Sequence, residues 1–333
     1  MALHDRPVLV APDSFKGTLS AQRVAQAAGR GLARAGLAVD LAPVADGGEG
    51  TMAVLLDRLG GEIVTAAASD PLGREVAADF ALLGDGRTAL VEVAAASGLA
   101  LIAPWERDAE AATSAGTGHL ILAAIAGGST HVLVAAGGSA STDGGAGALA
   151  AIADGGGLRG ARLTVLCDVR TPFEQAAAVF APQKGADPDA VGRLQRRLET
   201  IGLPRGVPMS GAAGGLAGGL WSTLGARLVA GAAFVLEALD FDRRMLASRA
   251  VIVGEGRLDA TSLEGKIVAE VATRARQHGV PAHAIVGVCE MDRFDARILD
   301  LQEIFEAGDE PAIERAGVAL AAAISARPLR SQQ

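Results

Sequence analysis

Residues 7–51, PVLVAPDSFKGTLSAQRVAQAAGRGLARAGLAVDLAPVADGGEGT, decide how this 333-residue chain is read. Pro7 to Ala11 is a short apolar run and predicts a strand. Ala21 to Ala35 carries apolar residues at helical spacing, with Ser20 in the N-cap position. A second strand is predicted at Val39 to Val44 and a second helix from Thr51 to Leu59. Strand, helix, strand, helix in that order implies a parallel sheet with crossover helices.

Beyond this opening the rhythm changes. Glu62 to Ala67, Glu75 to Leu83 and Thr88 to Val93 read as strands joined by the turns DPLG and GDGR, with no helix between them. That pattern fits an antiparallel or mixed sheet and the start of a second domain. Further strands are expected at His131 to Ala136, Leu163 to Cys167, Ala250 to Gly254 and His283 to Val288. Asp187 to Glu199 is polar and helical, and Gly211 to Leu239 reads as a glycine-punctuated helical region. After Ala250 the β-α-β alternation resumes. The expected fold is therefore α/β: a Rossmann-like parallel-sheet domain (1–64 plus 250–333) with a mixed α/β domain (65–249) inserted, and an active site in the cleft between them.

Composition narrows the function classes. Half of the chain is apolar and a fifth charged, as in globular proteins and unlike disordered ones. The net charge of -8 argues against a nucleic-acid binder, which needs a basic surface for phosphates. The N-terminal residues lack the long apolar region of a secretory signal, and the apolar stretches near Val132 and Leu228 are too short to span a bilayer. These features predict a cytoplasmic protein without nucleic-acid or membrane partners; they leave its oligomeric state open. Cys167 and Cys289 each end an apolar run and are expected as buried thiols. Of 30 basic residues only Lys16, Lys184 and Lys266 are lysines, and each touches glycine. A lysine offers a compact point charge that reaches a phosphate or carboxylate in a tight space, which arginine does less well.

The ends of the predicted strands repeat one chemistry. They run into Pro12-Asp13-Ser14-Phe15-Lys16-Gly17, Ala45-Asp46-Gly47-Gly48-Glu49-Gly50-Thr51, Gly137-Gly138-Ser139-Ala140-Ser141-Thr142-Asp143-Gly144-Gly145 and Gly254-Glu255-Gly256-Arg257-Leu258-Asp259. Ligands of open parallel sheets collect at carboxyl ends of strands. Glycines let backbone N–H groups wrap phosphate oxygens, carboxylates hold Mg²⁺, and lysine offsets charge on a transferring group. One Asp-Gly turn means little; four such loops favour a polyphosphate site.

Other signatures compete less well. No P-loop occurs, because the upstream glycine before Gly265-Lys266 is replaced by Ala260 and the following residue is Ile267. Gly145-Ala146-Gly147-Ala148-Leu149-Ala150 matches a loose dinucleotide fingerprint, and Asp168 ends the next strand. This would suit an NAD-dependent hydroxy-acid oxidoreductase, but the glycines lie too far from the preceding strand. A non-catalytic metabolite-binding protein is the other rival. The histidines are isolated, and His119, after a glycine-rich turn, is expected on the surface.

Taken together, APDSFKGTLSA, ADGGEGT, DPLGR, ASGL (96–99), SAGTG, GGSASTDGGAG, VFAPQKGA, GAAGGL and GEGRLDATSLEGK resemble the bacterial glycerate kinases of the two-domain α/β type, in their order. The resemblance runs from about Pro7 to Cys289. It implies ATP and Mg²⁺ as cosubstrates and D-glycerate as acceptor, with 2-phosphoglycerate the favoured product. Departures from the family pattern lie at Arg170 to Phe173, His119, Thr261 and Ile267 to Glu270. The expected roles follow. Lys16, Arg74 or Arg257 holds the glycerate carboxylate, and Lys266 or Lys184 lies near the transferring phosphoryl group. Asp46, Glu49 and Asp259 are candidates for Mg²⁺, and Asp143 or Asp168 for the base. Asp13, Ser14, Gly48, Gly138, Ser139 and Glu255 complete the expected binding set.

Overall fold

The computed structural model describes residues 5–263 and 266–326. In chain order the strands are β1 (Val8–Pro12), β2 (Val39–Leu41), β3 (Gly61–Ser69), β4 (Glu75–Leu83), β5 (Thr88–Glu92), β6 (His131–Ala135) and β7 (Arg162–Cys167). They continue with β8 (Arg227–Ala230), β9 (Ala250–Gly254), β10 (Arg257–Leu258), β11 (Ala282–Val286), β12 (Val288–Cys289) and β13 (Leu301–Glu306). The chain divides into two compact units, one of residues 1–45 and 235–333 and the other of residues 46–234. The second is thus inserted into the first. The expected junctions were 64/65 and 249/250; the first of these falls within β3.

In the discontinuous unit the sheet runs β13-β11-β9-β1-β2, all parallel. The runs Val8–Pro12, Ala250–Gly254 and Ala282–Val286 are buried throughout, as central strands covered on both faces require. Val8, Val10, Ile252 and Ile285 pack with Val24, Ala28 and Leu32 of the helix Ala21–Arg34 and with Ile313 and Leu320 of the helix Glu310–Ala326. Ser20 caps the first helix by accepting from the Arg23 N–H, as predicted. The two helices approach closely because Gly31 has no side chain: a Cβ there would sit 2.1 Å from the Glu314 carbonyl oxygen. Pairing of β2 with β1 continues past its last regular residue, since Ala42 and Val44 donate to the carbonyls of Val10 and Pro12 at 2.8 and 3.0 Å.

In the inserted unit the sheet order is β3-β4-β5-β6-β7-β8. The β3–β4 and β4–β5 pairs are antiparallel, and β5 through β8 are parallel. Phe80, Val91, Leu120, Ile121, Val132, Val134, Val165, Leu216 and Leu220 form its core. The polar helix expected near Asp187 is Pro188–Ile201, capped by the Asp187 side chain.

Two expectations need correction. The stretch Gly211 to Leu239 is not helical throughout: β8 separates the helices Leu216–Leu224 and Gly231–Ala238. Cys289 is half-buried rather than buried, because it ends the two-residue strand β12 outside the main sheet, whereas Cys167 is enclosed. Among the described residues no helix is long and apolar enough to cross a membrane.

Candidate active site

In the discontinuous unit the chain runs from β1 outward to β2 and later from β9 outward to β11 on the other side. The order of connection therefore reverses between β1 and β9, and ligands of open α/β sheets bind at such a switch point, outside the carboxyl ends of the strands. The loops leaving β1 and β9 are two of the four singled out from sequence. They are in contact: Asp13 donates its N–H to the Gly254 carbonyl at 2.8 Å, and a Cβ on Gly256 would lie 3.3 Å from Phe15 Cα. Asp13 is buried and accepts from the Ser14 N–H at 2.6 Å, while Lys16 is exposed at the tip.

Lys266, the N-cap of the helix Ile267–Gln277, lies 3.3 Å from Glu255 Oε2 and 3.9 Å from Asp259 Oδ1. Burial raises the Glu255 carboxyl above the usual range, partly offset by Ser262 and Lys266. Its Oε1 is enclosed with no hydrogen-bond partner among the described residues. The Thr261 hydroxyl, donating at 2.5 Å, lowers the Asp259 carboxyl. Arg257 is exposed and pairs with Glu290 at 2.6 Å.

In the inserted unit β5 to β8 are parallel, so Glu92, the Gly137–Gly145 loop, Asp168 and Gly231 all stand at the same end of the sheet. The Asp46–Gly50 loop lies across these ends. Gly50 N and Met52 N donate to Glu92 Oε1 at 3.0 and 2.8 Å. A Cβ on Gly137 would come 2.5 Å from Gly48 Cα, and one on Gly47 would meet Gly231 Cα at 2.8 Å and the Leu166 carbonyl at 3.2 Å. Glycine at these places is what lets the backbones meet. Asp46 is buried and accepts from the Gly48 N–H at 3.0 Å; Glu49 is exposed.

Lys184 is enclosed, donating to Ser139 Oγ at 2.9 Å and to the Ser141 carbonyl at 2.5 Å. Burial pulls its pKa down to about 7, against the opposing pull of Asp143 and Asp168. Gly138 adopts φ +75° and its carbonyl accepts from Leu99 N. Asp143 is heavily engaged: Oδ2 accepts from Ser114 N (2.9 Å), Ser114 Oγ (2.8 Å) and Gly147 N (3.0 Å), and Oδ1 from Gly145 N (3.1 Å). It therefore fastens the starts of the helices Ala115–Ala126 and Ala146–Asp154. Asp168 is half-buried beside Gly137, whose Cβ position is 3.3 Å from Asp168 Oδ2.

Of the expected site residues, Asp13, Ser14, Lys16, Glu255, Arg257, Asp259 and Lys266 thus fall around the switch point. Asp46, Gly48, Glu49, Gly138, Ser139, Asp143, Asp168 and Lys184 fall at the strand ends of the inserted unit. Arg74 stands apart in ion pairs with Asp70 and Glu106 at 2.5 and 3.0 Å. His119 is half-buried, within a helix, 3.4 Å from Ser69 Oγ, rather than on the open surface. Glu92 was missed; its sequence context, one carboxylate closing an apolar strand, carries no signal of a partner 42 residues away.

Among the described residues no three His, Cys, Asp or Glu side chains gather into a metal cage. A nucleotide-bound Mg²⁺ asks for less, since one or two carboxylates suffice when water and phosphate oxygens complete the shell. Asp46 with Glu49, or Glu255 with its unpartnered Oε1, offers oxygens of that kind, so the residues fit. The dinucleotide fingerprint does not. Its helix N-terminus, where a pyrophosphate would rest, already receives the Asp143 carboxylate.

A doubly wound sheet whose switch-point loops carry lysine and carboxylates is equipment for phosphoryl transfer. The model of the glycerate kinase family matches residues 8–154 and 156–325. A glycerate kinase of Bacillus subtilis is 38% identical over 327 residues, covering 86% of each chain. A glycerate 2-kinase of Escherichia coli is 37% identical over 322 residues, covering 84% of each. A crystal structure assigned as glycerate kinase 2 from Salmonella typhimurium matches with a TM-score of 0.79 and 32% identity, over 96% of this chain and 98% of that one. The chain belongs to the glycerate kinase family and is a kinase.

Proposed function

We propose that this kinase transfers the γ-phosphoryl group of ATP to the 2-hydroxyl of D-glycerate, giving 2-phosphoglycerate and ADP. The observation that carries the reading is the likeness, across more than four-fifths of the chain, to a relative that is a glycerate 2-kinase. It is supported by the two sets of loops, which pair glycines, several at positive φ, with lysines and carboxylates.

Mg²⁺ would be held by Asp46 and Glu49 and would neutralise charge on the polyphosphate. Lys16, exposed on the loop that leaves β1, binds the glycerate carboxylate, while Arg74 and Arg257 hold their own ion pairs. Lys266, steadied by Glu255 and Asp259, offsets charge on the phosphoryl group as it moves. Asp168, half-buried beside Gly137, accepts the proton of the attacking hydroxyl, while Asp143 fastens two helix starts through four donors. Lys184 keeps the glycine loop closed on itself rather than meeting phosphate. Both cysteines are free thiols, which suits the cytoplasm as the compartment.

The test is ADP release coupled to a reporter, with D-glycerate, L-glycerate, glycolate and lactate in parallel, with and without Mg²⁺. Mg²⁺-dependent turnover on D-glycerate is expected, and Lys16→Ala or Lys266→Ala should lower kcat about 100-fold or more. Folded protein that turns over none of these acceptors would overturn the reading.

A further inference from the structure

Glu92 is a buried carboxylate with an unusual task. It closes β5, is 7% exposed, and spends one oxygen, Oε1, on two backbone N–H groups of a distant segment, Gly50 and Met52. That segment begins the helix Thr51–Leu59, whose N-cap is Gly50 at φ +94° with no side chain to offer. A helix start normally takes its cap from its own N-cap side chain; here the cap comes from another strand. The same loop carries Asp46 and Glu49, and its neighbouring contacts, Gly48 on Gly137 and Gly47 on Gly231, are backbone touching backbone. Such contacts limit approach but set no direction. The two bonds to Glu92 fix it.

We infer that Glu92 is a positioning residue for the phosphoryl-transfer reaction: it anchors the Asp46–Gly50 loop and so presents Asp46 and Glu49 to the metal–nucleotide complex. The inference rests on the proposed role of that loop. Charge does not favour the arrangement. Burial raises the Glu92 carboxyl and the nearby Glu49 raises it further, while the two N–H bonds pull the other way. A buried anion beside another anion is a cost that a purely structural cap need not carry. Since both bonds end on one oxygen, a glutamine carbonyl can accept both, whereas an aspartate, shorter by a methylene, cannot reach.

Four variants decide the matter: E92Q, E92D, E92A and D46N, each checked for a native melt and assayed for kcat and half-saturating Mg²⁺. The expectation is that E92D and E92A raise half-saturating Mg²⁺ tenfold or more and lower kcat, while E92Q stays within about threefold of the parent. Should E92A fail to fold, E92D against E92Q carries the test. Parent-like Mg²⁺ dependence in E92D, or damage in E92Q equal to that in E92D, overturns the inference. D46N separates the two levels. If it retains the parent's Mg²⁺ dependence, the loop's metal role fails; if it is impaired while E92D is not, Glu92 alone is wrongly placed.

Discussion

Two aspartates at the same sheet end have opposite work. Asp143 is buried and accepts four hydrogen bonds at two helix starts, so Asp143→Ala should cost about 2 kcal/mol or more of stability in urea unfolding. Asp168→Asn should cut kcat about 100-fold or more, as loss of a general base does. A reversal of these two outcomes would exchange the roles. Lys184 makes a pH prediction. Its pKa falls from an ordinary 10.5 to about 7 on folding. Between those values the unfolded chain binds the extra proton, so stability rises as pH goes from about 7 towards 10.5. Lys184→Met should lack this rise, seen as urea midpoints of parent and variant that diverge above pH 7; parallel pH curves would count against it. The sequence exposes Lys184 as one of three lysines, but not that it is sealed. Nothing in PQKG tells enclosure from display.

At the scale of elements, close approach is the governing fact. Gly31→Ala puts a Cβ 2.1 Å from the Glu314 carbonyl, backbone that cannot swing aside, and should destabilise the fold by about 1–3 kcal/mol without changing kcat of the folded enzyme. Gly137→Ala, 2.5 Å from Gly48 Cα, should instead displace the acidic loop and depress turnover more than stability. Equal effects on both quantities in the two variants would show that the loop contact is no different from core packing. Much of this level is readable from sequence. Ser20 marks the start of its helix, and the alternation in 7–51 announces the parallel pairing of β1 with β2. The strand β8 is hidden because Arg227–Ala230 is four residues long, partly exposed, and set between Gly225 and Gly231. Glu92 is hidden for a different reason: a cap supplied from another strand leaves no local pattern.

For the molecule as a whole, the motifs outside any standard nucleotide signature carried most of the functional reading. The glycine loops could be recognised as strand ends, but their grouping could not. The Asp46 loop follows β2 in sequence yet belongs to the inserted unit, because its contacts are with Glu92, Gly137 and Gly231. Sequence adjacency to β2 suggested the other assignment. The central claim is that ATP phosphorylates the 2-hydroxyl of D-glycerate. It is tested most directly by ¹H–³¹P correlation NMR of the product formed from D-glycerate, ATP and Mg²⁺. The account predicts a phosphorus coupled to the single proton on carbon 2, as in 2-phosphoglycerate. Coupling to the methylene pair on carbon 3, or no organic phosphate beyond the nucleotides, would contradict it.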